Sequence, residues 1–240
     1  AQEAAKKYGV PKACTVDELL ADPEIDLVVN LTIPAAHYDI NKKALEAGKH
    51  VYCEKPLALS LQDADELVQL ADRKGLYVTS APDTFLGAGL QTSRKLIDED
   101  KLGKITGFTA NLVSHGSELW HPGPKFLYQK GAGPMLDMGP YYITALVSLL
   151  GPIKQLSCYC RLPEKQREIQ GEMFNVEIDT TYTAIAEFAC GAVGTLCVSY
   201  DIWQSELPCL EIYGTKGVLY GPDPNFFKGP VKYYDGKALE

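Results

Sequence analysis

Glu54-Lys55-Pro56 directly follows the apolar run His50-Val51-Tyr52-Cys53. The proline fixes its own φ and disfavours helix in the residue before it, so the chain is expected to turn at Lys55. Open α/β sheets bind their ligands at the carboxyl ends of strands, which is where this lysine falls. An ammonium there can stabilise negative charge developing on a substrate oxygen. A second pair, Asp137 and Tyr141, is spaced by four residues. Oxidising a hydroxyl requires a base that takes its proton as hydride leaves the carbon. Tyrosine ordinarily ionises near pH ~10. A lysine ammonium within about 4–6 Å lowers that value and makes the phenol a usable general base. A helix starting at Asp137 would put Asp137 and Tyr141 on one face. Asp137 would then accept from a substrate hydroxyl or orient Lys55, and its position also suits an N-cap. Tyr142 is turned about 100° further round the helix and is expected in the core.

The elements that must hold these residues read as α/β and then α+β. Residues 26–31, 50–53 and 77–80 are short apolar runs that suit buried parallel strands. Helical patterns cover residues 37–47 and 61–74, the second with an apolar stripe of Leu61, Ala64, Leu67, Val68 and Ala71. Thr15-Val16-Asp17-Glu18 reads as a capping box. This alternation predicts right-handed βαβ units and a partial Rossmann-like parallel sheet. After Pro82 the rhythm changes. A helix at 90–98, a strand at 105–114 and a helix at 137–150 precede strands at 153–162, 179–190, 195–203, 207–213 and 217–220. A largely antiparallel open sheet with helices on one face follows. The domains are placed at residues 1–82 and 83–240, the second for substrate and oligomerisation.

Composition narrows the function. The chain has 240 residues, 46% hydrophobic and 22% charged, with a formal net charge of −8. No Lys/Arg cluster offsets that charge, so nucleic acid and anionic membranes are poor partners. No apolar run approaches the ~20 residues of a membrane span. The seven cysteines are odd in number and lack a Cys-x-x-Cys, which points to buried free thiols in a reducing, cytoplasmic setting. His115 and His121 show no metal spacing, so no metal is expected. A dinucleotide site normally opens with a strand and a Gly-x-Gly-x-x-Gly turn. Gly87-Ala88-Gly89 and Gly131-Ala132-Gly133 lack the third glycine, although the amides after Gly131–Gly133 could approach an anion at a helix start. The sequence opens on a helical pattern with no strand before it, so a first βαβ unit is expected to lie outside it, and these residues alone to hold dinucleotide weakly.

Three motifs together resemble the glucose–fructose oxidoreductase/inositol dehydrogenase (Gfo/Idh/MocA) family. They are Thr32-Ile33-Pro34-Ala35-Ala36-His37, Glu54-Lys55-Pro56, and the stretch from Gly131 through Asp137 to Tyr141. The resemblance spans nearly the whole chain and implies a Rossmann domain followed by an α/β domain whose open sheet lies beside the substrate. It implies NAD or NADP as cofactor. Thr32 and Pro34 would line its diphosphate and ribose, His37 would start the next helix and, like Lys55, contact the cofactor, and Glu54 would contact the ribose or nicotinamide side. Lys55 resembles the catalytic lysine and Asp137 the acidic residue facing substrate, and the matched motifs imply that Lys55 and Tyr141 face one cleft. Tyr141 stands where inositol-type members have histidine and some aldose- and dihydrodiol-type members have tyrosine, which argues against an inositol substrate.

The function expected is NAD(P)-dependent hydride transfer to or from a sugar, polyol or related hydroxy compound. Two alternatives keep the fold: an NAD-dependent glycoside hydrolase, and a non-catalytic nucleotide-binding sensor or co-repressor. Retention of Lys55, Asp137 and Tyr141 argues against the sensor. The loop at 114–130 carries His115, Trp120, His121 and Tyr128, and aromatic faces there suit stacking on a sugar ring. Trp120, His121 and Asp83 are the expected substrate contacts, and a homo-oligomer through the C-terminal sheet is the expected assembly.

Overall fold

The computed structural model describes residues 1–237. The chain divides into two compact units, Ala1–Ala81 and Pro82–Glu240. The first contains α1 (Gln2–Tyr8), α2 (Val16–Ala21), β1 (Leu27–Asn30), α3 (Pro34–Glu46), β2 (His50–Cys53), α4 (Leu61–Lys74) and β3 (Val78–Ser80). Its three strands are parallel in the order β1-β2-β3. The capping box forms: the Glu18 amide donates to the Thr15 hydroxyl, and the Thr15 amide donates to the Glu18 carboxylate. Helix α3 buries His37, Asn41, Ala44 and Leu45, a spacing that keeps one face on the sheet. Helix α4 adds Leu67 and Ala71, and together they close over Val28, Val51 and Cys53. Leu61 and Val68 of the expected stripe are exposed instead. Leu61 is the first helical residue after the Ser60 cap, where the side chain has not yet reached the sheet. On the opposite sheet face Leu27 and Val29 are exposed.

The second unit contains α5 (Ala88–Asp98), β4 (Ile105–Val113), α6 (Pro134–Asp137), α7 (Gly139–Leu150) and then β5 (Ile153–Arg161), β6 (Gln166–Ile169), β7 (Glu172–Asn175), β8 (Thr181–Phe188), β9 (Val193–Ser199), β10 (Leu210–Gly214), β11 (Val218–Gly221) and β12 (Lys232–Tyr234). Seven strands form one sheet in the order β12-β11-β10-β4-β9-β8-β5. Among the described residues only β4 and β9 run parallel within it, so the sheet is largely antiparallel as expected. Helix α7 lays Tyr142, Ala145, Leu146 and Leu149 against Phe108, Phe188 and Ile212 in a single core. The outer sheet face exposes Tyr159 and Ile185.

Three differences from the sequence reading bear on function. The expected helix at 137–150 is broken: α6 ends at Asp137, Met138 interrupts, and α7 begins at Gly139. Pro140 explains the break, because it has no N–H for the Leu136 carbonyl and its ring would strike that carbonyl in a continuous helix. The hairpin β6–β7 was not expected; its turn, Gln170-Gly171, has positive φ at both residues, as a two-residue hairpin turn requires. The strand expected at 195–203 ends at Ser199, so Tyr200, Asp201 and Trp203 leave the sheet. The cysteines also differ from expectation. All seven are free, but only Cys53 is buried, and Cys158, Cys160 and Cys190 are exposed. Cys158 and Cys160 lie on β5, an edge strand of the sheet, rather than in its core.

Candidate active site

In the first unit the carboxyl ends of the three strands are stitched into one rim. The Glu54 amide donates to the Asn30 carbonyl at 2.8 Å, and the Ala81 amide donates to the Cys53 carbonyl at 2.9 Å. Lys55 is half-buried in the bend just beyond β2. Its amide donates to the Glu54 carboxylate at 3.0 Å, so the Glu54 side chain folds back over the turn. His37 is fully buried. Its ring nitrogens lie 2.7 Å from the Pro56 carbonyl and 2.9 Å from the Thr32 carbonyl. His37 thus clamps the turn after β1 to the turn after β2. Asn30, which sequence reasoning passed over, is buried beside it. Its amide donates to Asn41 at 2.8 Å and its oxygen accepts from the Thr32 hydroxyl at 2.7 Å. Thr32 is thereby held to the protein, and Pro34 opens α3.

One flank of this rim offers apolar and charged surface to a ligand. Leu31 and Ile33 are exposed beside the braced turn at Thr32–Pro34. With the Thr32 hydroxyl held by Asn30, the turn offers backbone and aliphatic surface, while Glu54 and Lys55 supply the charged groups.

The second unit presents Asp137 and Tyr141 on either side of the break at Met138. Tyr141 is half-buried; its amide donates to the Met138 carbonyl at 3.2 Å. The Tyr200 hydroxyl donates to the Asp137 carboxylate at 2.8 Å. Asp137 therefore does not cap a helix: it closes α6, and Met138 stands at the N-cap of α7. Helix α6 has four residues, too short for the anion site considered at Gly131–Gly133. Tyr142 is in the core, its hydroxyl donating to Asp223 at 3.1 Å.

The loop before α6 divides its aromatic residues. Tyr128 is fully buried, whereas Trp120 is 73% exposed. His121 sits edge-on between Trp120 and Phe126, with ring centroids 5.6 and 5.5 Å away, and accepts from the Gly123 amide. His115 instead stacks on the exposed Trp203 at 3.3 Å. Asp83 stands half-buried at the start of the second unit, where its carbonyl accepts from the Leu86 amide. Beneath the loop lies a buried ion cluster that sequence reasoning missed. Arg167 donates to Glu118 at 2.5 Å, to the Tyr200 carbonyl at 2.8 Å and to Asp201. Tyr128 donates to the same Glu118. Burial disfavours the charged guanidinium, but the hydrogen bond to Glu118 and the surrounding carboxylates outweigh it and raise its pKa. Among the described residues no group of three or more His, Cys, Asp or Glu is placed to hold a metal ion. None of the described helices is long and apolar enough to cross a membrane.

Tyr128, Tyr142 and Tyr200 are all held above the ordinary tyrosine value, burial being the largest cause in each and a nearby carboxylate adding to it. On unfolding they would release protons first, so the stability they lend is full below pH ~10 and falls as pH rises beyond it. Each contributes a slope that approaches about 1.4 kcal/mol per pH unit above about pH 11. Urea unfolding followed from about pH 9 to about pH 11 should show this steep loss; a flat profile would contradict the burial of these phenols.

Residues 1–81 match the family described as "Oxidoreductase family, NAD-binding Rossmann fold". Residues 90–220 match the GFO/IDH/MocA C-terminal domain. The chain belongs to the Gfo/Idh/MocA oxidoreductase family. This Gfo/Idh/MocA chain is 43% identical over 211 residues to the uncharacterized oxidoreductase YhhX of Escherichia coli, covering 87% of the chain and 56% of that protein. It is 29% identical to the trans-1,2-dihydrobenzene-1,2-diol dehydrogenase of Danio rerio, covering 92% of the chain and 63% of the relative. Among solved structures, an NAD binding oxidoreductase from Klebsiella pneumoniae superposes with a TM-score of 0.86 at 27% identity, over 99% of the chain and 64% of its own length. The chain thus spans less than two thirds of each of these proteins.

Proposed function

We propose that this family member serves an NAD- or NADP-dependent oxidoreductase acting on a sugar, polyol or related hydroxy compound. The observation that carries the reading is the placement of Lys55 directly beyond β2, on the stitched rim of a unit that matches the NAD-binding Rossmann family. A bound nicotinamide supplies the hydride acceptor. The ammonium of Lys55 stabilises charge on the reacting oxygen, and Tyr141 takes the hydroxyl proton. Asp137, whose carboxylate Tyr200 holds, accepts from a neighbouring substrate hydroxyl. Glu54 with the turn at Thr32–Pro34 contacts the cofactor, and His37 and Asn30 keep that turn in place. Trp120 and His121 offer aromatic surface to a sugar ring, and Asp83 a carboxylate. A relative named as a diol dehydrogenase supports a hydroxyl-bearing substrate. The exposed apolar residues Tyr159 and Ile185 on the outer sheet face support assembly with a second copy through the sheet. The seven free thiols support a cytoplasmic setting.

The test is an initial-rate screen of the full-length protein with NAD⁺ and NADP⁺ against aldoses, polyols and cyclic diols, following the reduced nicotinamide. Net reduction with at least one hydroxy compound is expected. Glycoside cleavage without net reduction, or cofactor binding without turnover, would replace this reading with the hydrolase or the sensor.

A further inference from the structure

We infer that Tyr200 is a positioning residue for Asp137, held in place by the buried guanidinium of Arg167; the inference rests on the oxidoreductase reading of Asp137. Tyr200 is 4% exposed and follows the last residue of β9. Every side of it is fixed. Its amide donates to the Thr180 carbonyl at 2.8 Å, and its own carbonyl accepts from Arg167 at 2.8 Å. Its ring packs edge-on against Tyr128 at 6.0 Å. What remains is the hydroxyl, which donates to the Asp137 carboxylate at 2.8 Å.

The support runs deeper than one bond. Asp201, the next residue, is pinned by Arg167 and accepts from the hydroxyls of Thr180 at 2.8 Å and Thr181 at 2.5 Å. Through Glu118, Arg167 also holds Tyr128, the ring against which Tyr200 rests. Residues just past a strand end would ordinarily wander with their loop. Here a buried charge cluster removes that freedom. A phenol donating to a carboxylate is a charge-assisted bond, shorter and stronger than a neutral one. It restricts the rotation of Asp137 and fixes the direction in which the carboxylate meets substrate. Such orientation matters because small misplacements of a reacting partner lower rate steeply.

The test is a double-variant cycle of Tyr200→Phe and Asp137→Asn in the full-length protein, with kcat, KM and thermal midpoint measured for each. Tyr200→Phe keeps the ring against Tyr128, so its midpoint should stay close to the parent's. Its kcat should fall about tenfold with the KM for cofactor unchanged, as for loss of one hydrogen bond to a charged group. In the Asp137→Asn background the same change should have almost no further effect, because Tyr200 acts through Asp137. Equal losses in both backgrounds, an unaltered kcat, or a Tyr200→Phe protein that does not fold would overturn the inference while leaving the oxidoreductase reading intact. Full turnover in Asp137→Asn alone would overturn the inference together with the role given to Asp137, and no turnover of any hydroxy compound would overturn the oxidoreductase reading as well.

Discussion

Lys55→Met in the full-length protein should lower kcat by about 10²–10⁴-fold while cofactor affinity changes little. The ammonium's contribution arises only as charge moves during hydride and proton transfer, so it appears in turnover and not in ground-state binding. Methionine keeps most of the stem's volume, and Lys55 is half-buried, so the rim of Glu54, Pro56 and His37 should survive. Tyr141→Phe should cause a loss of similar size. The double variant should lose little more than either single one, because a base and the cation that activates it work as a unit. Tyr142→Phe is the control. Its hydroxyl faces Asp223 in the core, and its removal should leave the rate almost untouched. Steady-state kinetics and calorimetric titration with the cofactor separate these outcomes. A larger loss from Tyr142→Phe than from Tyr141→Phe would reverse the assignment.

Arg167→Met should destabilise the protein by about 3–5 kcal/mol, the usual result of removing one partner from a buried ion pair. The cost arises less from the lost attraction than from what is left behind. Glu118 and Asp201 would stay largely buried, their side chains 8% and 15% exposed, with no cation between them. Replacing Arg167, Glu118 and Asp201 together by Met, Gln and Asn should recover much of the loss, because no buried charge then lacks a partner. Denaturant titration of both variants checks this. A loss below about 1 kcal/mol in Arg167→Met would mean that water reaches the cluster and that it does not brace the loop.

How much of this was legible depends on how local each signal was. Lys55 was legible because a strand-ending proline and a lysine are adjacent in the chain, and one short apolar run before them sets their position. The packing of Tyr142 followed from helical phase alone. The relation of Asp137 to Tyr141 was only half legible. Four-residue spacing suggested a shared helical face, yet Gly139-Pro140 lies inside that interval and carried the contrary signal. His37 was legible as a helix-start residue, but its two carbonyl partners come from separate turns, one of them 19 positions away. Arg167 was not legible at all. It sits in a polar stretch whose residue types do not show that β6 buries every second side chain, and its partners Glu118 and Asp201 are 49 and 34 positions away. A lone arginine among glutamates reads as solvated surface, and only the fold makes it an interior charge. Tyr200 was hidden for a related reason: in the expected strand at 195–203 it was one more alternating residue, whereas the strand's end at Ser199 frees it to reach Asp137.

The most direct measurement follows the hydrogen itself. A hydroxy substrate active in the initial-rate screen, deuterated at its carbinol carbon, would be oxidised by the full-length protein and by Lys55→Met, and the reduced nicotinamide analysed by NMR. The account predicts deuterium on the nicotinamide ring in the parent reaction, one per turnover, and the same product formed far more slowly by Lys55→Met. Solvent hydrogen at that position, or transfer at an undiminished rate without Lys55, would contradict it.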